Sequence, residues 1–469
     1  MKNTISHLIR LGDILFIFLP LGWAIFVRLR KKEDISKRAT LLRESLEKLG
    51  SIFVKLGQML ALRPDVISDI YCNELYKLLD EVPSFPKSQV EEVIHEEFGY
   101  GTDELFKEFD STPIASASFA QVHKATLKNG TLVAVKVQRP NAKKLVESDL
   151  SILRKLAWLV DMLFRPSNKL SNIVEEFESW TKDELNYELE AANIEKFNEM
   201  EKLVKDGIRG PKVYRKFSTP RVLTMEYIDG FNLSQIIRSK KEKDSTTLKE
   251  LKLLGFDGKE IVSHLIKNTL EMSHIHGFFH ADPHPANIIF TRNKELVFID
   301  FGIMGTLSKR ERILILKYLR SMMTGNSTES FNTLINLCGV YSSDNLNVIK
   351  NEYDLLIQKI TDTFDAKTYL EQQKQSGPIL VESLNLLQRN GFKIPVSIVR
   401  YFKGFETIEG LIFALYPELQ IKNMVKEFRR VSIMNIISSL PETLGEKGLN
   451  EIVFKLIDSI EDVFLNSSA

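Results

Sequence analysis

The chain has 469 residues, with 63 Lys and Arg side chains against 62 Asp and Glu side chains and a formal net charge of +1. This balance provides no basic footprint for nucleic acid, so no nucleic-acid partner is expected. The two cysteines, Cys72 and Cys338, form neither a CxxC pair nor a disulfide framework, which favours a reducing compartment.

An uncharged apolar run near the N-terminus covers residues 14–27 and reads ILFIFLPLGWAIFV. The apolar window of about 17 residues is marginal against the ~20 that span a bilayer. The basic residues between Arg28 and Lys32 would keep the downstream body in the cytoplasm by the positive-inside rule. We therefore predict a membrane-anchor segment at residues 1–34, and a membrane-associated protein with its catalytic body in the cytoplasm. An interfacial helix and a soluble docking helix are the alternatives.

Helical periodicity follows this segment. It covers residues 36–62, 66–80 and 87–108. In the first stretch apolar residues recur at spacings of one, three and four, and Arg63-Pro64 ends it. We assign residues 35–104 to a helical extension.

From Pro113 the pattern changes to short strands. Residues 114–124 and 131–138 are predicted to pair as a β-hairpin, since Asn129-Gly130 favours a type I′ turn. Further elements are predicted as helices over 143–164 and 171–203 and a buried strand over 221–227. We assign residues 105–230 to a small β-rich lobe.

The chemistry-bearing motif is HADPHPAN at residues 280–287, with Asp300-Phe301-Gly302 thirteen residues after Asn287. An Asp, an Asn five residues later and then DFG after a short strand pair (288–299) form the catalytic arrangement of the protein-kinase fold. Phosphoryl transfer needs a carboxylate near the acceptor, together with an Asn and an Asp that hold Mg²⁺ against the phosphates. Asp282 is the predicted catalytic carboxylate, and Asn287 and Asp300 are the predicted metal ligands.

Upstream, Val133-Ala134-Val135-Lys136 is typical of the strand that presents the phosphate-pairing lysine. The predicted fold is therefore α+β and protein-kinase-like, with two lobes. The β-rich N-lobe precedes a helical C-lobe at residues 231–330, which carries the catalytic loop and DFG. A helical C-terminal extension covers residues 331–469.

The loop before the lysine strand contains no glycine. Its centre reads Ala115, Ser116, Ala117 and Ser118. Small side chains allow a close approach to phosphates but lose the positive-φ freedom of glycine, so the loop should be stiff. We assign these four residues to nucleotide binding, together with Lys136 and with Glu226, Tyr227 and Ile228 at the end of the 221–227 strand. An ordinary small-residue turn is the alternative.

Lys136 requires a carboxylate partner, for which Glu184, Glu188 and Glu190 are candidates. Glu184 and Glu190 are six residues apart, about 240° around a helix, so they cannot both face one lysine. The spacing predicts two basic partners, with a solvated charged face as the alternative.

Two further features constrain the chemistry. His274, His276, His280 and His284 cluster within eleven residues. A zinc site is conceivable there, but the adjacent Asp, Asn and DFG favour His280 as a residue that orients the catalytic loop. After DFG, a capping box at Ser308–Glu311 starts a helix almost at once, which leaves no room for an activation segment and weighs against a conventional protein kinase.

Together these motifs resemble the UbiB/ADCK family of atypical protein-kinase-like proteins, from about residue 36 to at least residue 330. Lys55-Leu56-Gly57-Gln58 is similar to the family's KxGQ signature, PIASASFAQVH to its alanine-rich loop, and HADPHPAN to its catalytic loop. The resemblance implies that Lys136 pairs with the nucleotide phosphates and with Glu190. It also implies that Lys55 and Gln58 lie on a helix folded over the active site, where Lys55 meets Glu184 of an ExD motif.

Three positions depart from the family pattern. The loop reads ASAS where AAAS is usual, Ala286 stands where glycine is usual, and Asn186 replaces the second acid of ExD. These changes affect two expectations, namely the charge pairing at Asn186 and the backbone conformation near Asn287.

The function implied is that of a Mg²⁺-dependent, ATP-binding atypical kinase or ATPase that supports ubiquinone or other prenyl-lipid biosynthesis at a membrane. Its implied partners are ATP, a prenyl-lipid or quinone-precursor molecule, the lipid membrane and quinone-biosynthesis proteins. A conventional protein kinase and a non-catalytic, nucleotide-gated scaffold or lipid chaperone are the alternatives.

Overall fold

The computed structural model describes residues 10, 12–14, 16–17, 32–61, 67–79, 84–164, 170–204, 207–339, 345–361, 382–419, 430 and 433. Contacts divide the chain into two compact units. The first comprises Met1–Ala192 and Lys212–Tyr227, and the second comprises Asn193–Pro211 and Ile228–Ala469.

The described elements are helix-rich with small sheets. The helices are α1 (Lys32–Leu49), α2 (Ser51–Ala61), α3 (Asp69–Leu75), α4 (Lys87–Phe98), α5 (Thr102–Leu105), α6 (Ala142–Phe164), α7 (Leu170–Glu184), α8 (Tyr187–Val204), α9 (Leu233–Glu242), α10 (Ser245–Leu253), α11 (Gly258–Glu271), α12 (Lys309–Met323), α13 (Ser327–Leu337), α14 (Leu346–Thr361), α15 (382–389) and α16 (Val396–Leu415). The strands are β1 (Phe106–Ser116), β2 (Ala120–Leu127), β3 (Leu132–Gln138), β4 (Ile208–Arg209), β5 (Val222–Glu226), β6 (Gly230–Asn232), β7 (Phe278–His280), β8 (Ile288–Thr291), β9 (Leu296–Phe298) and β10 (Met304–Thr306).

The first unit contains an antiparallel sheet in the order β1-β2-β3-β5. Helix α4 packs on it, and its buried Val90, Val93 and Ile94 share one apolar cluster with the valines of β3. The predicted 114–124 strand is divided between the end of β1 and the start of β2. Asn129-Gly130 does form the following turn, but only Gly130 has positive φ (+87°), so the turn is not type I′. A type I turn closed by a left-handed glycine fits these angles.

A second apolar cluster in this unit joins helices α1, α2, α6 and α7. Three predicted helices are each broken in two. Within 87–108, Gly99 at φ +74° ends α4 before α5, and residues 106–108 already belong to β1. Gly50, at φ +94°, separates α1 from α2 within 36–62, and residues 185–186 separate α7 from α8 within 171–203. A glycine in the left-handed region ends a helix, whereas the break at residues 185–186 has no positive φ. Periodicity alone does not show these breaks because the apolar spacing continues across them.

Two described residues of the predicted anchor segment, Ile14 and Ile17, pack on this second cluster, whereas Phe16 is exposed. Ile14 is 1% exposed within it, and Arg10 forms an ion pair of 2.7 Å with the buried Asp149. For these residues the docking-helix alternative fits better than an anchor separate from the core. Most of residues 14–27, and with them the remainder of that prediction, lie outside the described residues. Over the described ranges, no helix is long and apolar enough to cross a membrane.

The second unit contains a sheet in the order β4-β9-β8-β6 and a separate β7–β10 pair. The predicted strand pair at 288–299 is confirmed as β8 and β9, which run antiparallel. Strand β4 pairs in parallel with β9, so residues 193–211 belong to this unit and not to the small lobe predicted over 105–230. The described part of the predicted C-terminal extension also belongs to this unit and is mainly helical.

Candidate active site

Lys136 and Glu190 form a buried ion pair in the first unit. Strand β3 presents Lys136, whose Nζ lies 2.7 Å and 2.9 Å from the two carboxylate oxygens of Glu190 on α8. The Glu190 side chain is only 1% exposed and that of Lys136 13%. The Tyr187 ring lies 5.3 Å from the same ammonium group. A charge pair this deeply buried fixes the direction of the lysine, as a phosphate-pairing lysine requires.

Lys55 and Glu184 form a second ion pair in the same unit. Nζ of Lys55, on α2, lies 2.8 Å from Oε2 of Glu184, the last residue of α7. Within the described part of the chain that oxygen has no partner with hydrogen-bond geometry, so the contact is ionic. The prediction of two basic partners for these two acidic residues is therefore confirmed, but the single helix on which it was based is wrong. Glu184 and Glu190 lie on different helices, and not on opposite faces of one.

Gly57 and Gln58 are used to pack the helical extension. A Cβ on Gly57 would lie 2.3 Å from the Leu78 side chain and 2.8 Å from that of Leu46, so a larger residue would displace both leucines. Gln58 donates through Nε2 to the carbonyl of Leu78 at 2.7 Å. The structure thus places Gln58 as a link between α2 and the turn after α3, and its predicted place over the active site stays a prediction.

Asn186, the residue that departs from the ExD pattern, caps a helix. Its Oδ1 accepts a hydrogen bond of 3.1 Å from the backbone N–H of Leu189, and its side chain is exposed. Asn is among the best N-cap residues, because its oxygen satisfies an amide that the first helical turn leaves unpaired. The amide therefore has a local structural role at the start of α8.

The glycine-free loop at residues 115–118 needs no left-handed backbone, since none of its residues has positive φ. The Ala117 N–H donates to the carbonyl of Ala120 at 2.8 Å and closes the turn between β1 and β2. Ser118 is buried, whereas Ala115 and Ala117 are exposed. The loop is therefore a compact turn built without the strain that glycine would relieve.

The end of β5 is bonded within the first unit. The N–H of Glu226 donates to Lys212 O at 2.8 Å, and its carboxylate accepts from Lys212 N at 3.0 Å. The N–H of Tyr227 donates to Leu132 O at 3.4 Å. These backbone donors are committed to the fold, so the assignment of Glu226, Tyr227 and Ile228 to nucleotide binding stays a prediction.

His280 joins the catalytic loop to DFG in the second unit. The backbone N–H of Asp282 donates to His280 Nδ1 at 3.2 Å, so Nδ1 is the unprotonated nitrogen. Nε2 therefore carries the proton and donates to the carbonyl of Asp300 at 2.5 Å. Burial lowers the pKa of His280, which keeps the ring neutral and preserves this tautomer.

Asn287 and Asp300 lie side by side. Their side chains approach to 3.5 Å, between Asn287 Nδ2 and Asp300 Oδ2. Adjacent ligands of an octahedral Mg²⁺ are about 3 Å apart, and a 180° turn of the amide brings its oxygen to this position. The second oxygen of Asp300 accepts from the N–H of Gly302 at 3.1 Å, which fixes the carboxylate. The pair therefore fits a magnesium ion.

Asp282 is half-buried, and its backbone carbonyl accepts from His284 N at 2.7 Å. The next residues form a tight turn in which Ala286 N donates to His284 Nδ1 at 3.2 Å. Ala286 has no positive φ, so alanine causes no backbone strain where the family has glycine. The neighbouring Asn287 is held by Ile299, whose N–H donates to Asn287 O at 2.9 Å.

The chain turns directly from DFG into a helix. The predicted capping box is confirmed: Ser308 Oγ accepts from Glu311 N at 3.2 Å, and Glu311 Oε2 accepts from Ser308 N at 2.8 Å. Between Gly302 and Ser308 the chain forms only the short strand β10, which pairs with β7.

Asn193 and Gly210 support DFG and were missed by the sequence analysis. Asn193 Nδ2 donates to Phe301 O at 3.1 Å. A Cβ on Gly210 would lie 2.9 Å from the fully buried Phe301 ring. Neither position belongs to a motif, and the contact with Phe301 is made only in the folded chain.

His274 has a structural role distinct from that of His280. It is buried, and its Nε2 lies 2.9 Å from the Tyr401 hydroxyl. Burial, with a smaller effect of Arg312, lowers the pKa of His274 to about 3. The unfolded chain binds a proton below about pH 6.5, which the folded residue does not bind until about pH 3. The free energy of unfolding should therefore fall as the pH drops through this window.

Between pH 7 and pH 5, His274 should lower the free energy of unfolding of the wild-type second unit by about 2 kcal/mol. We expect His274→Gln to abolish this decrease. Hydrogen exchange of peptides from α11 and α16, measured at both pH values, tests this. The same pH dependence in the variant and the wild type would contradict the assignment.

Comparisons with known proteins place these observations in a family. The ABC1 atypical kinase-like domain matches residues 77–333. A Shewanella protein named "Probable protein kinase UbiB" is 31% identical over 408 residues, covering 85% of this chain and 71% of that protein. The chloroplastic ACTIVITY OF BC1 COMPLEX KINASE 7 of Arabidopsis thaliana is also 31% identical, over 84% of this chain but only 54% of its own length.

The solved structure of Rv3197 from Mycobacterium tuberculosis, in complex with erythromycin, is similar in fold. It has a TM-score of 0.50 and 24% identity, over 76% of this chain and 87% of that one. The family match covers more than half of the chain, and it includes the lysine strand, the catalytic loop and DFG. The chain belongs to the ABC1 atypical kinase-like family, which includes UbiB.

Proposed function

We propose that this protein is a Mg²⁺-dependent, ATP-binding atypical kinase or ATPase that supports ubiquinone or other prenyl-lipid biosynthesis at a membrane. The observation that carries the proposal is the pairing of Asn287 with Asp300 at 3.5 Å, next to a catalytic loop that His280 holds to DFG. A carboxylate and an amide at this spacing suit Mg²⁺, and magnesium with nucleotide phosphates is the usual chemistry of a kinase-like site.

Each of these residues would have a separate role in the reaction. Lys136, oriented by Glu190, pairs with phosphate oxygens of ATP, and Asn287 and Asp300 hold Mg²⁺, which offsets the charge that develops during phosphoryl transfer. Asp282 accepts the proton of the attacking hydroxyl or water. Among the described residues no hydrogen bond to the Asp282 side chain occurs, so its carboxylate oxygens are available for that proton.

The membrane and the lipid substrate are inferred from the sequence and from one relative. The link to quinones comes from the name of the UbiB relative. The link to a membrane comes from the apolar run at residues 14–27, and quinone-biosynthesis proteins would be partners for the same reasons. A body in the cytoplasm agrees with a sequence whose two cysteines form neither a CxxC pair nor a disulfide framework.

The decisive experiment measures Mg²⁺-dependent ATP hydrolysis by the full-length, detergent-solubilised protein, with and without added lipid vesicles. In parallel, isoprenoid quinones are quantified in cells that lack the gene. Wild-type protein should restore the quinones, and Asp300→Asn should not. ATP binding without hydrolysis would favour the scaffold alternative, and normal quinone content in the deletion strain would contradict the lipid role.

The conventional protein-kinase alternative is disfavoured by the short connection after DFG. Protein kinases dock peptides on an activation segment, and residues 303–307 are too few to form one. The scaffold alternative would treat Asn186 and Ala286 as signs of a decayed site, but Asn186 caps α8 and Ala286 has no backbone strain.

Lys55 is expected to restrain the nucleotide response. Lys55→Ala removes a positive charge beside Glu184 and one of the contacts between α2 and α7, so it should change ATP affinity or turnover and unmask autophosphorylation. Gln58→Ala should act less strongly through the same helix, because it loses a tie to Leu78. Nucleotide titrations and ³²P incorporation test both variants. Strong phosphorylation of a generic basic protein by the wild type would contradict this restraint.

A further inference from the structure

Helix α16 lies outside the matched family domain, yet it contacts the catalytic loop, the strand after DFG and the start of α12. Ser397, Arg400, Tyr401 and Gly404 occur at spacings of three, one and three and so share one face of this helix. We infer that this face is a positioning surface that holds the catalytic loop and the residues after DFG in register. The inference deepens the proposed function and rests on it.

Gly404 makes the closest contact. A Cβ built on it would lie 2.9 Å from the carbonyl oxygen of His280 and 3.3 Å from Cα of Ala281. Both are backbone atoms of the catalytic loop, which cannot move aside as the end of a flexible side chain can. The glycine therefore lets the helix backbone lie directly against the loop.

Arg400 and Tyr401 bind the elements on either side of that contact. Arg400 Nη1 donates to the carbonyl of Met304 at 3.0 Å, in the strand that follows DFG. The Tyr401 hydroxyl bonds to His274, and its ring meets Phe279 edge-on at 5.8 Å. Strand β7, which ends at His280, and strand β10, which starts at Met304, are thus both fixed by one helix.

Ser397 extends this face to the next helix. Its hydroxyl hydrogen-bonds to the carboxylate of Glu311, the residue that completes the capping box of α12. The short segment between DFG and α12 therefore has contacts with α16 at its strand and at its end. A connection too short to support itself is held in this way by a distant part of the chain.

The consequence for catalysis passes through His280. Its carbonyl lies against Gly404, while its ring receives the Asp282 N–H and donates to Asp300 O. Any displacement of this residue moves the catalytic carboxylate and a magnesium ligand together. Misplacement of reacting groups by about 1 Å can cost on the order of 100-fold in rate.

The test uses two glycines of the same helix. Gly404→Ala places its methyl group against the loop, whereas Gly410 is exposed with no atom within 4 Å of an added Cβ. Both substitutions improve helix propensity equally. We expect Gly404→Ala to lower kcat on the order of tenfold and to raise the Mg²⁺ concentration for half-maximal turnover. Gly410→Ala should leave both values unchanged.

Hydrogen exchange provides a readout that needs no turnover. Gly404→Ala and Arg400→Met should each speed exchange in peptides that cover residues 278–287 and 300–306, with peptides of α13 unaffected. Arg400→Lys should restore part of the protection, because its ammonium can still reach a carbonyl oxygen. If the wild type hydrolyses no ATP, the proposed function fails, while the exchange data still decide the role of the helix.

Two results would overturn the inference. One is wild-type exchange and magnesium dependence in Gly404→Ala. The other is faster exchange spread evenly over the second unit, since general destabilisation gives the helix a structural role only.

Discussion

Asp282→Asn is expected to reduce ATP turnover at least 100-fold while leaving ATP binding and the fold intact. A positioned general base typically contributes a factor of about 10² to 10⁴, and the amide cannot accept the proton. The substitution preserves size, and the contacts that the structure gives Asp282 run through its backbone N–H and carbonyl. The loop should therefore keep its conformation.

Steady-state hydrolysis and ATP titration of the same preparation measure the two effects separately. Asp229→Asn is the matched control, since this carboxylate belongs to the same unit and, among the described residues, forms an exposed ion pair with Arg292. Asp300→Asn should differ from both by raising the Mg²⁺ requirement. Wild-type turnover in Asp282→Asn would remove it from the chemistry.

Lys136→Met is expected to abolish ATP binding and to destabilise the first unit by about 3 kcal/mol or more. Glu190 is 1% exposed, and the substitution removes the ammonium group that contacts both of its oxygens. Loss of one partner of a buried ion pair typically costs about 3–5 kcal/mol, because the remaining charge stays in a poorly solvated place.

The double variant Lys136→Met/Glu190→Leu separates the two effects. Removal of both charges should recover most of the stability, whereas ATP binding should stay lost. Trp158 and Trp180 lie in the first unit, and Trp180 is buried, so its emission follows unfolding of this unit. ATP binding by the double variant would show that Lys136 does not contact the phosphates.

The two ion pairs show how much could be predicted from the family motifs. The resemblance named Glu190 for Lys136 and Glu184 for Lys55, and both pairs occur in the structure. Spacing on an assumed single helix could not choose between the candidate acids, because the chain breaks at residues 185–186. Such a break depends on an N-cap by Asn186 that periodicity does not register.

By itself the sequence determined the kinase-like family, the short strands and the catalytic loop. These features depend on residues that are close in sequence. Asp282, Asn287 and Asp300 lie within nineteen residues, and backbone hydrogen bonds such as that from Ile299 N to Asn287 O join neighbouring segments. The capping box at Ser308 and Glu311 was predictable for the same reason, because its two residues are close in sequence.

Tertiary structure alone decided what supports these residues. Tyr401 meets His274 across 127 positions of sequence, and Gly404 lies against His280 from a helix outside the matched domain. Ile14 likewise enters the core of the first unit, although its apolar neighbours favoured an anchor. The sequence does not show which surface an apolar or small residue will cover, because burial and close packing depend on the partner that the folded chain brings to it.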